Sequence, residues 1–388
     1  MVTLRRTAIF ILILILKTST GHGSVANWTG QLSSWATISE QEPRQTYLGL
    51  RYMPGLFSEK QWSTNSLSFE GTFNLFGVSQ ITSLKSTNSN WDDKLYRLWL
   101  RFAGNQYEMR IGLQKINFGS ASILRPLMWF DQIDPRDPLQ ITDGVWAALF
   151  RYYFLNNTNV WLWSLYSSDG TKGWEIFPSN KHSAEFGGRV QVPVWRGEMA
   201  LSYHHRIMDV EKWLVDQVPP FVYHLIPKDD FQIPEQRLGV DGKWDVGIGI
   251  WSEAVWSYQR SDWFPFTWQR WLNIGMDYTF EIGNGLNVMT ELFKFEAMDK
   301  PFEQGEGTTL SSLSVNYPLG IIDQLMGIFY YDHNEHNFYR IVNWKRTYDH
   351  WSCFLIGFWN PVKYAIYQNQ NNQLYSGKGI QLMLVFNH

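Results

Sequence analysis

Apolar residues in this chain fall every second position between turn residues, and the one long apolar run is Ala8–Leu16. A helical membrane protein needs several uninterrupted runs of about 20 apolar residues, so the pattern excludes that architecture. The sequence is nonetheless 44% hydrophobic and 17% aromatic. Strands with one wholly apolar face satisfy both observations when they close into a barrel whose outside touches lipid, because closure pairs every backbone group internally. The pattern therefore predicts an all-β fold, a transmembrane antiparallel up-and-down β-barrel of about 18 strands.

The clearest strand is Ser66–Leu84, with Leu67, Phe69, Gly71, Phe73 and Leu75 on one face and Ser68, Glu70, Thr72 and Asn74 on the other. Period two with one apolar face is the strand signature. Two further segments repeat it: Tyr96, Leu98, Leu100 and Phe102 against Arg97, Trp99 and Arg101, then Tyr107, Met109, Ile111 and Leu113 against Glu108, Arg110, Gly112 and Gln114. Only Gly104-Asn105-Gln106 joins them, which reads as a tight hairpin.

Other short connections are expected at Leu155–Thr158, Pro193–Gly197, around Asp245, and at Glu281–Gly285, Pro318–Asp323 and Tyr348–His350. Long polar ones alternate with them: Asn117–Asp143, Asp169–His182, Met208–Pro234, Gln259–Thr267, Ala297–Thr308 and Asn360–Ser376. Short periplasmic turns alternating with long outer loops characterise outer-membrane barrels. With Trp28–Ile38 and Arg44–Met53 as the first hairpin, the strand number is even and both termini fall on the periplasmic side. That parity holds only if Ser66–Leu84 is one strand. The last segment alternates Ile380, Leu382, Leu384 and Phe386 against Gln381, Met383 and Val385, and is followed by Asn387 and His388. Trp146, Trp195, Trp244, Trp268, Trp344, Trp351 and Trp359 sit near strand ends, as aromatic girdles at two membrane interfaces require.

Arg5-Arg6, the run Ala8–Leu16 and the small residues Gly21-His22-Gly23 read as a secretory signal over 1–23, leaving 24–388 as a single barrel with long extracellular loops. Cys353 is the sole cysteine, so no internal disulfide forms, and its neighbours Trp351 and Leu355 place it against lipid or a packed wall. A net charge of -3 argues against nucleic acid as a partner. The expected partners are outer-membrane lipid, the barrel-assembly machinery of a Gram-negative cell, and a small hydrophilic solute or a polysaccharide.

Alternation puts Arg97, Arg101, Arg110 and Arg151 on the polar face of consecutive strands, with Arg51 and Arg189 on the polar faces of their own. Glu70, Glu108, Glu185, Asp241, Glu253, Asp277 and Glu291 supply the opposite charge, and Gln114 shares the polar face. In a barrel these residues line the lumen, where arginines facing carboxylates create a transverse field that sorts solutes by charge. Pairing across strands to stiffen the wall is the competing use. The connection Asn117–Asp143 is too long for a passive turn. It carries Asn117, Arg125, Asp131, Asp134, Arg136 and Asp137, and its Asp-Pro pairs favour a rigid conformation that narrows the pore from within. Prolines interrupt the aspartates and no calcium-loop spacing is present, so neither metal nor cofactor is predicted.

Arg110-Ile111-Gly112-Leu113-Gln114-Lys115-Ile116-Asn117-Phe118-Gly119, followed by Pro135-Arg136-Asp137-Pro138, resembles the Gly-Arg-Gln-x-Ile-x-Trp-Gly and Asn-Pro-x-Asp stretch of alginate-export-like and related outer-membrane porins. Leu113 stands where that family carries arginine and Phe118 where it carries tryptophan. The resemblance implies a monomeric barrel whose lumen conducts a hydrophilic, often anionic, solute or polysaccharide.

For an enzyme, His204 and His205 are adjacent on a strand and so face opposite sides, while His333 and His336 flank a polar turn. No nucleophile elbow or nucleotide loop occurs. The expectation is a passive channel rather than an enzyme. The alternatives are a sealed barrel holding surface polysaccharide on Trp129, Trp174 and Trp213, and, further off, a barrel-embedded hydrolase.

Overall fold

The computed structural model describes residues 25–40, 45–83, 86–166, 170–211, 213, 231–260, 265–362 and 375–388. The signal expected over 1–23 and parts of the loops expected at 169–182, 208–234, 259–267 and 360–376 lie outside the described residues. The strands are β1 (Val25–Ser39), β2 (Gln45–Trp62), β3 (Asn65–Ser83), β4 (Ser86–Ala103), β5 (Tyr107–Gln114), β6 (Val145–Tyr153), β7 (Asn159–Leu165), β8 (Glu185–Val194) and β9 (Gly197–Asp209). They continue as β10 (Gln232–Asp245), β11 (Gly249–Gln259), β12 (Trp268–Phe280), β13 (Leu286–Met298), β14 (Glu306–Pro318), β15 (Asp323–Asp332), β16 (Asn337–Thr347), β17 (Trp351–Trp359) and β18 (Lys378–Asn387).

Each strand pairs antiparallel with its sequence neighbours, and β1 pairs with β18, so the 18-stranded sheet closes on itself. Closure leaves no sheet edge to be satisfied by lipid. The expected segment is one strand, β3 (Asn65–Ser83), and the turns 63–64, 104–106, 154–158, 195–196, 246–248, 281–285, 319–322 and 348–350 therefore lie at the end that carries both termini, while the short turn 333–336 lies at the other. The seam extends past Phe386: Asn387 pairs with Gln31, and His388 exchanges both backbone hydrogen bonds with Gly30 at 2.9 Å. Its imidazole stacks on Tyr52 and Phe386. Asn387 thus belongs to the closing strand, and His388 extends its hydrogen-bond ladder.

β2 differs from its expected end at Met53 and runs on to Trp62. Pro54 lacks an N–H, but the β2–β3 register passes from Tyr52↔Leu75 to Gly55↔Thr72 and skips it, so the ladder absorbs the proline as an irregularity.

Alternation places Leu48, Leu50, Leu100, Ile111, Leu162, Leu201, Ile274, Leu292 and Leu382 outside, all exposed, as a lipid-facing belt requires. Trp195 and Trp351 mark its rim on the side of the termini, and Trp146 and Trp359 the opposite, outer rim of the expected orientation; each is exposed. Cys353 shares the outer face of β17 with Trp351 and Leu355.

Inside, the expected polar lining holds for only part of the wall. Trp35, Ile341, Phe354, Ile356, Phe358, Met383 and Val385 point inward, are buried, and pack together with Leu139 of the connection between β5 and β6 against them. A larger apolar cluster joins Ile116, Phe118, Ile123, Leu124, Leu127, Trp129 and Phe130 of that connection to inner-face residues of β6, β7, β11 to β16. The barrel is filled by its own loop, and the inner faces that meet the loop are apolar because they are core.

Leu382 lies midway between the pairs Trp351↔Phe386 and Trp359↔Lys378 on the outer face. Leu382→Arg is expected to destabilise the protein by about 2–4 kcal/mol, the cost of a cation at the bilayer midplane, in reversible folding titrations into lipid vesicles. A change near zero would mean that this face does not meet hydrocarbon.

Candidate pore site

The connection 115–144 enters the barrel directly after β5. Two glycines at positive φ lie on either side of this entry. Gly112, at φ 122°, has the Leu98 carbonyl where a Cβ would sit, and Gly119, at φ 105°, brings the chain against the Glu253 carboxylate. Both belong to the Arg110–Gly119 stretch, so that stretch launches the loop.

Two carboxylates on the far wall receive it. Glu253 of β11 accepts the N–H groups of Ala121 (2.7 Å) and Leu127 (3.0 Å). Glu291 of β13 accepts those of Ser122 (2.7 Å), Ile123 (3.2 Å) and Leu124 (2.6 Å), and also Trp251 Nε1–H and Asn273 Nδ2–H, each at 3.2 Å. Asn273 donates its other bond to the Leu124 carbonyl at 2.7 Å. Successive backbone N–H groups form an anion-binding concavity, and here the anion is the side chain of the protein's own wall. Ser120 adds a hydroxyl bond to Asp241 at 3.0 Å.

Within the loop, Arg125 pairs with Asp131 (2.8 Å) and Arg136 with Asp134 (2.6 Å), all four buried. Asp131 and Asp134 thus each serve an arginine. Asp137 accepts the N–H groups of Leu139 (3.0 Å) and Ile141 (3.2 Å), and burial pushes its carboxyl up from the usual range against those bonds. Asn117 is exposed, whereas Gln114 is fully buried and ties the Ala147 carbonyl (2.9 Å) to that of Arg110 (3.1 Å).

The arginines expected along the lumen gather at β4 to β6. Arg101 and Arg110 lie directly opposite each other in the register, and Glu108 opposes Arg151. Facing like charges destabilise a strand pair. Glu108 resolves this by reaching all three, Arg101 at 2.8 Å, Arg110 at 3.1 Å and Arg151 at 3.5 Å. Their side chains stay 30%, 20% and 16% exposed, respectively. Arg110 lies over Trp99 at 4.6 Å and Arg151 over Trp161 at 3.9 Å, cation–π contacts that hold both guanidinium groups against the wall. Arg97 is buried and holds the Thr142 carbonyl at the loop's return (2.9 Å). Arg51 lies between Trp35 and Phe76. Glu70 of β3 accepts a bond from Thr72 at 3.2 Å.

The opposite wall is charged but closed. Arg189 makes a bidentate pair with Asp241, 2.9 Å on one side, beneath Phe118. Glu175 and Glu235 hold Arg206 and Arg237, and Lys172 joins Glu185 at 2.8 Å, with every member buried. His204 and His205 do face opposite sides. His204 accepts from Trp163 Nε1–H at Nδ1 (3.2 Å) and meets Glu185 through Nε2 (3.0 Å), while His205 packs on the outer-face Phe186.

Arg189 and Glu253 thus lie on the lumen face as expected, but under the loop. Glu291, one of the carboxylates on the polar faces, also lies under the loop, and Lys172, Glu175, Arg206, Glu235 and Arg237 are further charged residues that the site brings together. Glu235, Arg237 and Asp241 share one strand face, a signal that alternation contains; the partners contributed by the loops are invisible to it. Trp129 is buried in the core, and Trp174 stacks on Phe293 and donates to the Arg125 carbonyl at 2.7 Å, so neither is a surface platform.

No known family matches this chain, and no curated protein matches it in sequence. Among solved structures, the fold is similar to Pseudomonas aeruginosa OccK5 (OpdH) at a TM-score of 0.55 and 11% identity, over 94% of this chain and 97% of the other. It is similar to Acinetobacter baumannii OccAB4 (0.55, 8% identity, 96% and 99% covered) and to the anion-selective porin from Comamonas acidovorans (0.50, 10% identity, 94% and 100% covered). The fold is therefore that of an outer-membrane porin-type β-barrel.

Glu291→Ala removes the acceptor for three consecutive loop amides. Each such bond to a charged acceptor is worth about 1.5–3 kcal/mol, so hydrogen exchange at Ser122, Ile123 and Leu124 is expected to accelerate about 10- to 100-fold. The β4–β5 amides serve as an unchanged internal standard. Equal protection in the variant would show that the carboxylate does not hold the loop.

Proposed function

We propose that this protein is a passive channel of the outer membrane, secreted by a signal over residues 1–23 and inserted into lipid by the barrel-assembly machinery. The conducting face is the inner wall of β3 to β7. Arg101, Arg110 and Arg151 share Glu108 there, three guanidinium groups on one carboxylate, with Arg97 and Glu70 beside them. That imbalance, on side chains that keep part of their surface accessible, is the observation that carries the reading. An excess of fixed positive charge beside a low-dielectric wall attracts anions. The solutes that fit are small, hydrophilic and anionic, and the resemblance of Arg110–Gly119 to alginate-export-like porins adds anionic polysaccharide to that class.

The loop sets the free cross-section. Arg125, Asp131, Asp134, Arg136 and Asp137 fix its shape, Glu253 fixes its position, Arg189 supports Phe118 beneath it, and Gln114 braces its exit from β5. Asn117 is the exposed member of the set. Diffusion down a gradient needs no cofactor and no covalent chemistry, so the reading is a non-enzymatic one.

One observation favours a second reading. Leu124 and Met128 of the loop are completely buried in the lumen, as in a barrel that is sealed and serves to bind polysaccharide at its surface. Conductance of the refolded protein in a planar bilayer separates the two: a channel gives ohmic steps and a sealed barrel gives none.

Selectivity tests the arginine assignment itself. Replacing Arg101, Arg110 and Arg151 by glutamine is expected to move the reversal potential under a salt gradient toward cation preference, and Glu108→Gln alone to move it toward anions. Conducting variants with unaltered reversal potentials would overturn the assignment.

A further inference from the structure

The barrel wall is uneven. β1 to β4 have 15, 18, 19 and 18 residues, whereas β5 to β8 have 8, 9, 7 and 10. β4 pairs with β3 as far as Ser86 but with β5 only over Leu98–Ala103, so the wall drops beside β4. On the far side of the drop, residues 178–180 lie along β9, with Asn180 N–H donating to the Ile207 carbonyl (2.8 Å) and Asp209 N–H to that of Pro178 (2.9 Å). That flank is closed by backbone.

The flank next to β4 holds a cavity of about 360 Å³, within the roughly 300–1,000 Å³ range of small-ligand sites. Its floor is the top of the β5–β6 pair, where Leu113 and Trp146 oppose each other on the outer face. Its inner end is Phe130 and Lys172, members of the barrel's interior. Lys94 and Asp143, joined at 2.6 Å and well exposed, span its mouth between β4 and the returning loop. One cavity is therefore lined by residues of both faces of the wall, at the level of the outer aromatic rim that Trp146 marks.

We propose that this cavity is a lateral port, which admits a single-chain amphiphile from the outer leaflet toward the lumen. Leu113, Trp146 and Phe130 supply the apolar part of a lining that is otherwise polar, with Gln132, Thr142, Thr171 and Lys172, and the Lys94–Asp143 pair at the interface meets the amphiphile's polar head. Trp146 at the rim suits such a boundary, since its ring is apolar and its N–H is wet. The port is independent of conduction along the barrel axis, so it stands or falls separately from the channel reading.

The test uses the full-length protein in lipid nanodiscs and a diazirine-bearing dodecanoate as probe, with labelled residues mapped by mass spectrometry. Phe130 is only 3% exposed and lies inside the barrel, so a lipid-side probe reaches it only through the port. The expected result is labelling at Phe130 and Trp146 in addition to belt residues such as Ile111 and Leu162. Gly170 lines the cavity and has open space where a Cβ would stand, so Gly170→Trp adds a bulky ring at the lining without a backbone clash. That variant is expected to lose the Phe130 label and retain those at Ile111 and Leu162, which report an intact belt. Labelling confined to the belt in the unaltered protein, or a Phe130 label that persists in Gly170→Trp, would overturn the port.

Discussion

The interior of this barrel depends on an exchange between two kinds of unsatisfied group. A loop without regular structure carries backbone N–H groups that find no partner in an apolar surrounding, and a carboxylate withdrawn from water costs several kcal/mol unless it is fully bonded. Glu253 and Glu291 meet five loop amides between them, with Trp251 and Asn273 completing the second. Each deficit offsets the other. Once the loop is fixed in this way, Leu124, Leu127 and Phe130 cover the inner faces of distant strands, and positions such as Phe293 and Ile328 become core rather than channel wall.

The two halves of the lumen then acquire different electrostatic character. Between β8 and β10, Lys172, Arg206 and Arg237 meet Glu175, Glu185 and Glu235 in equal number, and the group is buried. Such a network has little field outside itself and serves to hold loop 170–184 to the wall. Around β4 to β6, three arginines share Glu108 and keep water contact. Charge that is neither cancelled nor covered is what a passing ion feels.

The outer half of this design was legible in the sequence because lipid enforces it. Leu67, Leu100, Ile111 and Leu382 must alternate with polar neighbours wherever one face meets hydrocarbon, and a slip of one residue would invert every side chain. Alternation also fixed the face of Arg97, Arg101, Arg110 and Arg151. It did not reveal what each would touch. That Glu108 serves three arginines follows from strand register, and that Glu291 serves the amides of 122–124 follows from contacts across more than 160 positions. Backbone amides have no sequence signature, so a residue whose partners are amides looks like any other lumen carboxylate. The apolar inner faces of β16 to β18 were hidden for the same reason: Phe354 and Ile356 read as a departure from alternation until Leu139 is known to lie against that cluster.

The inward course of the loop follows from where the wall ends. β5 stops at Gln114, paired with Val145, while β4 beside it continues in register with β3 to Ser86. The chain thus leaves regular structure below the top of the neighbouring wall. Irregular backbone cannot face hydrocarbon, since its polar groups would have no partner there. The chain instead enters the lumen, and Gly119, at positive φ, brings it against the far wall. Short strands, a glycine at the close approach and carboxylates on the opposite wall are three parts of one arrangement that carries residues 115–144 across the barrel.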